Sequence, residues 1–201
     1  MVKANYITFE SLAFLNMRHE HYMHRCIQLA LLGKGFVALN PLVGAVLVYD
    51  DIIIGEGYHQ QYGQAHAEVN CIHSVQEADK KFIPLSTLYV SLEPCVHFGK
   101  TPPCVDLILK YCISKVVIGC SDPFEMVHHK GIAKLKTSGV EVIVGVLEEQ
   151  CKEINKYFFH YYTQHRPYIM LKWAQSVDGY IASKNNKRTY ISNDISKDRK
   201  S

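Results

Sequence analysis

The chain has 201 residues, enough for one domain with a real core, or one domain plus a fragment of another. Apolar residues make up 48% and charged residues 20%, as in a soluble globular protein, and a net charge of +3 is too small to argue for nucleic acid as a partner. No run of about eighteen apolar residues offers a membrane span, and residues 1–16 lack the basic start and apolar stretch of a signal peptide, so the expected location is the cytoplasm.

In chain order, Met23, Cys26, Ile27 and Ala30 recur at helical spacing within 19–32, a run that Gly33 and Gly35 end. LVGAVLVY (42–49) and IIIGEGYH (52–59) are strand-like and joined by Asp50-Asp51, which predicts a hairpin. A helix is expected from His66 to about Ala78, then a strand over 86–92 that ends at Glu93-Pro94. Cys104 to Cys112 reads as a helix, 115–120 as a strand, 130–138 as a helix, 140–146 as a strand and 147–163 as a helix. A hairpin followed by alternating strands and helices implies a three-layer α/β/α sandwich around a mixed sheet. After His165-Arg166-Pro167 a new strand is expected over 168–174, then a turn at Ser176–Gly179 and a basic tail read as solvated.

Seven cysteines in a chain without an export signal do not suggest disulfides. Cys26, Cys71, Cys112, Cys120 and Cys151 sit in apolar or helical contexts and read as small buried hydrophobes. Cys95 and Cys104 differ, because each follows a proline and flanks a polar loop. With His66 they offer one imidazole and two thiols, a ligand set for Zn2+ that leaves a fourth position open, as catalytic rather than structural sites do. His66 and Cys104 each open a helix, whose positive end favours a thiolate, at the carboxyl end of the sheet where open α/β folds bind ligands. Glu68, two residues past His66, is poorly placed to ligate the same metal and well placed to move protons beside it. Zinc deaminases divide the roles in this way. A fourth ligand from Cys71, His73 or His97 would make the site structural instead.

The usual deaminase signature closes with Pro-Cys-x-x-Cys, whereas here VHFGKTPP separates Cys95 from Cys104. NPLVGAVLV (40–48), GYHQQYGQAHAEV (57–69), LEPCVHFGKTPPC (92–104) and Asp122-Pro123, in that chain order, resemble the deaminase domain of the bifunctional riboflavin biosynthesis proteins of the RibD family. RPYIMLKWAQSVDGYIA (166–182) resembles the opening of that family's second domain, a pyrimidine reductase with a dihydrofolate-reductase-like fold. The resemblance implies an N-terminal extension over 1–16, a cytidine-deaminase-like zinc-dependent deaminase domain over 17–163, and a truncated start of the reductase domain over 164–201. It implies hydrolytic deamination of 2,5-diamino-6-ribosylamino-4(3H)-pyrimidinone 5′-phosphate to 5-amino-6-(5-phosphoribosylamino)uracil, with Zn2+ as cofactor and a small-molecule pyrimidine ribosyl phosphate as partner. Glu68 is then the catalytic carboxylate, and Asn40, His59, Lys100 and Asp122 contact substrate, Lys100 at the ribose-phosphate end. Taken as bare residues, Asn40 and Asp122 are turn formers before prolines, His59 ends a strand and Lys100 is a solvated loop lysine. His97 is a further candidate for hydrogen bonding in the loop.

Two departures stand out. The family usually continues its Asp-Pro with Asn-Pro, whereas this chain has Phe124-Glu125, and a phenyl ring supplies no amide hydrogen bonds, so weaker or rearranged ribose contacts are expected. The 36 residues 166–201 are too few for an independent dinucleotide domain, so no reductase activity is expected. The alternatives are another nucleoside, nucleotide or tRNA-base deaminase of the same fold, and an inactive relative acting as a binding protein. A homo-oligomer and a separate reductase as partner stay open.

Overall fold

The computed structural model describes residues 9–38, 40–99 and 102–181, with side chains from Asn16 onward. The chain divides into two compact units, Met1–Arg166 and Pro167–Ser201. In the first, helices α1 (Phe9–Leu32), α2 (Ala67–His73), α3 (Cys104–Lys110), α4 (Lys130–Thr137), α5 (Glu148–Ile154) and α6 (Lys156–Gln164) surround strands β1 (Gly44–Tyr49), β2 (Ile52–Tyr58), β3 (Thr87–Leu92), β4 (Lys115–Cys120) and β5 (Glu141–Val144). The five-stranded sheet runs β2-β1-β3-β4-β5. The β1–β2 and β1–β3 pairs are antiparallel and β3–β4–β5 are parallel, so the sheet is mixed as expected.

Both faces of the sheet are covered, which is why its central strands read as continuous apolar runs. Ala45, Leu47, Leu88, Val90, Val116 and Ile118 join a core with α2, α3 and α4 residues such as Cys71, Ile108 and Leu135. Their chain neighbours Val46, Val48, Tyr89 and Val117 join a second core with Met23, Cys26 and Ile27 of α1 and Cys151 of α5. Two cores on alternating residues make the three-layer α/β/α sandwich. Gly44 lets α1 lie directly on β1, since a Cβ there would stand 2.0 Å from the Cys26 carbonyl oxygen. The hairpin turn is Asp50-Asp51, with φ of 46° and 62°, the left-handed backbone that suits a two-residue turn between twisted strands.

Several expectations change. Helix α1 starts at Phe9 rather than near residue 19. Helix α2 ends at His73, short of Ala78, and a 3₁₀ segment over Glu77–Leu85 follows it. The Ser74 hydroxyl caps that end by donating to the Cys71 carbonyl oxygen at 2.8 Å. The helix expected over 147–163 is two, broken at Asn155. Cys26, Cys71, Cys120 and Cys151 are fully buried, but Cys112 is exposed, because it follows the last turn of α3 with a φ of 54°.

In the second unit the strand expected over 168–174 is not formed, since no ladder pairs with it among the described residues. Ile169, Met170, Leu171 and Trp173, the sole tryptophan, are exposed there. The Ser176–Gly179 turn does form, with the Gly179 N–H donating to the Ser176 carbonyl at 2.9 Å. Among the described residues no helix is long and apolar enough to cross a membrane.

Candidate active site

Among the described residues, one group of histidine, cysteine and carboxylate side chains is arranged to hold a metal ion, formed by His66, Cys95 and Cys104. His66 stands at the N-cap of α2 in extended backbone, Cys104 is the first residue of α3, and Cys95 lies three residues past β3. The His66 Nδ1 is 3.5 Å from the Cys95 Sγ and 3.3 Å from the Cys104 Sγ, and all three donor atoms lie within 4.8 Å of one another. Tetrahedral zinc at its usual bond lengths spaces nitrogen and sulfur ligands about 3.6 Å apart, so donor set and spacing both fit zinc. Of the residues that sequence offered as a fourth ligand, Cys71 is buried in the core with its thiol on the Gly55 carbonyl, and His73 is exposed at the end of α2.

The thiols are electrostatically unlike. The Cys104 thiol, assisted by the His66 ring and the Cys104 backbone N–H, holds the Cys95 thiol down at about 4 against the opposing effect of burial. That N–H donates to the Cys95 Sγ at 3.3 Å from the first turn of α3. The Cys104 thiol is in turn pushed well up by the Cys95 thiolate and by burial. Contact with Cys95 raises the pKa of the His66 ring.

Glu68, only 3% exposed in the first turn of α2, has its carboxyl pKa raised by burial. His59, just past β2, is buried, donates through Nδ1 to the Ala65 carbonyl at 3.1 Å and accepts through Nε2 from the Asn40 side-chain amide at 3.0 Å. Those partners require a neutral ring with its proton on Nδ1, and burial lowers the His59 pKa accordingly. The His59 and His66 rings meet edge to face at 5.5 Å.

Asp122 lies just past β4, 7% exposed, and its Oδ1 accepts from the Phe124 N–H at 2.8 Å. Its position depends on Glu93, which sequence reasoning read only as the end of a strand. The Glu93 carboxylate accepts four backbone N–H groups, from Asp122 (3.2 Å), His129 (3.0 Å), Gly131 (2.9 Å) and Ile132 (3.2 Å). It thereby ties the Pro94-Cys95 turn to the loop after β4 and to the start of α4, and satisfies donors that a helix start leaves open. An acidic residue at a strand end was the available signal, but its partners are distant in sequence.

A cavity of about 270 Å³ opens among these groups. Its lining brings Asn40, His59, His66, Glu68, Cys95 and Asp122 together with His97, Phe124, Phe158 and Tyr162. The Nδ1 of His97 is buried there without a hydrogen-bond partner among the described residues. Lys100 lies outside the described residues.

The family model described as cytidine and deoxycytidylate deaminase zinc-binding region matches residues 16–120. The riboflavin biosynthesis protein RibD of Aquifex aeolicus is 48% identical over 164 residues, covering 82% of this chain and 45% of that protein. A structure of Acinetobacter baumannii RibD superposes with a TM-score of 0.83 at 37% identity, covering 90% of this chain and 50% of the other. A Thermotoga maritima structure, of a diaminohydroxyphosphoribosylaminopyrimidine deaminase and 5-amino-6-(5-phosphoribosylamino)uracil reductase, gives 0.81 at 43% identity, covering 92% and 52%. The chain spans about half the length of the curated relatives it matches. The match over residues 16–120, together with the zinc-shaped donor triangle and the buried carboxylate beside it, shows that the chain belongs to the cytidine and deoxycytidylate deaminase zinc-binding family.

Proposed function

We propose that the chain removes the ring amine of 2,5-diamino-6-ribosylamino-4(3H)-pyrimidinone 5′-phosphate by zinc-dependent hydrolysis, giving 5-amino-6-(5-phosphoribosylamino)uracil and ammonia in riboflavin biosynthesis. The observation that carries this reading is a single cavity lined by His66 and Cys95 of the donor triangle, by Glu68, and by Asn40, His59 and Asp122. The names of the similar proteins support the choice of substrate. The proposal assigns deamination to 17–163 and likeness to the opening of a reductase to 164–201, and places the protein in the cytoplasm.

A zinc ion held by His66, Cys95 and Cys104 would supply a Lewis-acid centre that brings the pKa of water toward neutrality. Glu68 takes a proton from the attacking water as its oxygen bonds to the ring carbon that bears the amine. Glu68 then delivers a proton to the leaving nitrogen, the C–N bond breaks, and the ring keeps the oxygen as a carbonyl. Asn40, with its amide N–H committed to His59, presents Oδ1 to a substrate N–H. Asp122, with Oδ1 on the Phe124 N–H, presents Oδ2 to a substrate N–H or O–H. Lys100 is assigned the phosphate.

Glu68→Gln tests the assignment. The variant is expected to keep its zinc and to lose ammonia release by roughly 100-fold or more, the usual worth of a positioned acid–base group. Turnover near that of the parent would refute the role of Glu68. Failure of the zinc-loaded parent to release ammonia from the pyrimidinone phosphate would refute the function.

A further inference from the structure

We infer that Phe124, Phe158 and Tyr162 form an aromatic wall that binds the flat face of the pyrimidine ring in the cavity, and so help decide which substrate is accepted. The inference rests on the functional reading above and adds specificity-determining residues to it. Phe158 and Tyr162 are four residues apart on α6, so they share one helix face, and their rings meet at 4.8 Å. Phe124 comes from the loop after β4 and packs on Tyr162 at 4.9 Å. All three line the cavity that Glu68, His59 and Asp122 also line.

These rings are not core packing. None belongs to either hydrophobic core, and each keeps part of its surface exposed. The adjacent Phe159, by contrast, packs against the core beneath α1. An uncovered aromatic surface among acid–base groups offers a stacking face to a planar heterocycle. The wall is also held in place. Asn155 at the start of α6 is 4% exposed, accepts from the Leu42 N–H at 2.7 Å and donates to the Leu42 carbonyl at 2.8 Å. Phe124 is fixed through its N–H on Asp122, whose own N–H is held by Glu93. Phe124, Phe158 and Tyr162 all lie beyond residues 16–120, so the matched zinc-binding region does not contain this wall.

The test measures binding of 5-amino-6-(5-phosphoribosylamino)uracil to the zinc-loaded full chain by calorimetry, alongside zinc content and thermal melting. Phe124→Leu and Tyr162→Leu keep apolar bulk and remove the flat face, and each is expected to weaken binding about tenfold with zinc and melting near the parent's. Tyr162→Phe keeps the ring, and Phe159→Leu perturbs only the core, so both are expected to bind within roughly twofold of the parent. Methionine replaces leucine at any position where the leucine variant does not fold. Unchanged affinity in both ring-removing variants overturns the wall, as does affinity lost only in step with zinc or melting temperature. A parent that binds the probe without deaminating the pyrimidinone phosphate sinks the functional reading and leaves the wall standing, whereas a parent that does not bind the probe overturns the wall.

Discussion

Burial pushes the Asp122 carboxyl up to about 6 from an ordinary 3.8, against the helping N–H of Phe124. A carboxyl whose pKa rises on folding favours the fold while protonated. Its contribution is therefore whole below pH 3.8 and is lost as pH rises through about 6, an effect of about 3 kcal/mol. His19 has the opposite sign, because burial lowers its pKa from 6.5 and the fold loses stability as pH falls below that value. Comparing Asp122→Asn with the parent cancels His19. Denaturant unfolding of the two proteins between pH 4 and 7 is expected to show the parent losing about 2 kcal/mol relative to the variant, since part of the loss has already occurred by pH 4. Parallel pH profiles would place the Asp122 carboxyl in water. Glu93 shows the complementary use of a buried carboxylate, since four backbone N–H groups occupy its oxygens and fix the loop on which Asp122 rides.

At the scale of elements, the joint between α5 and α6 is set by a contact with residue 42. Asn155→Ala removes both hydrogen bonds to Leu42 and is expected to cost about 2 kcal/mol, lowering the melting temperature by about 4–8 °C. An unchanged melting curve would show that water replaces the amide at no cost. The same joint explains why sequence periodicity ran 147–163 together, for no local signal reveals a partner more than a hundred residues away. Strands β3 and β4 were legible almost to the residue, because strands buried on both faces leave apolar runs bounded by polar turns. The grouping of His66, Cys95 and Cys104 was legible because ligand chemistry restricts which side chains can serve a metal. The 3₁₀ segment Glu77–Leu85 has Ile83 as its one buried residue, and so it left no periodic apolar stripe. The Glu93 clamp joins the end of β3 to the loop after β4 and the start of α4, and the aromatic contacts join that loop to α6, so only the folded chain brings them together. The segment 168–174 had the composition of a strand but lacks a ladder partner among the described residues.

In the first unit as a whole, the donor triangle joins α2, the turn after β3 and α3, of which the last two also share the Val105 N–H bond to the Cys95 carbonyl at 3.2 Å. An ion held by His66, Cys95 and Cys104 would cross-link these segments. Stripping zinc with a chelator is expected to lower the melting temperature by about 5–10 °C, the effect of losing a ligand present at about a hundred times its dissociation constant. A melting curve indifferent to chelation would mean that the triangle holds no metal in solution. These transitions must be followed by far-ultraviolet circular dichroism, and Trp173 is the reason. The chain's only indole is 67% exposed and belongs to the 167–201 unit rather than to either core of the sandwich. An indole already this exposed has little emission change left to show on unfolding, so tryptophan fluorescence would follow the loss of the zinc site poorly.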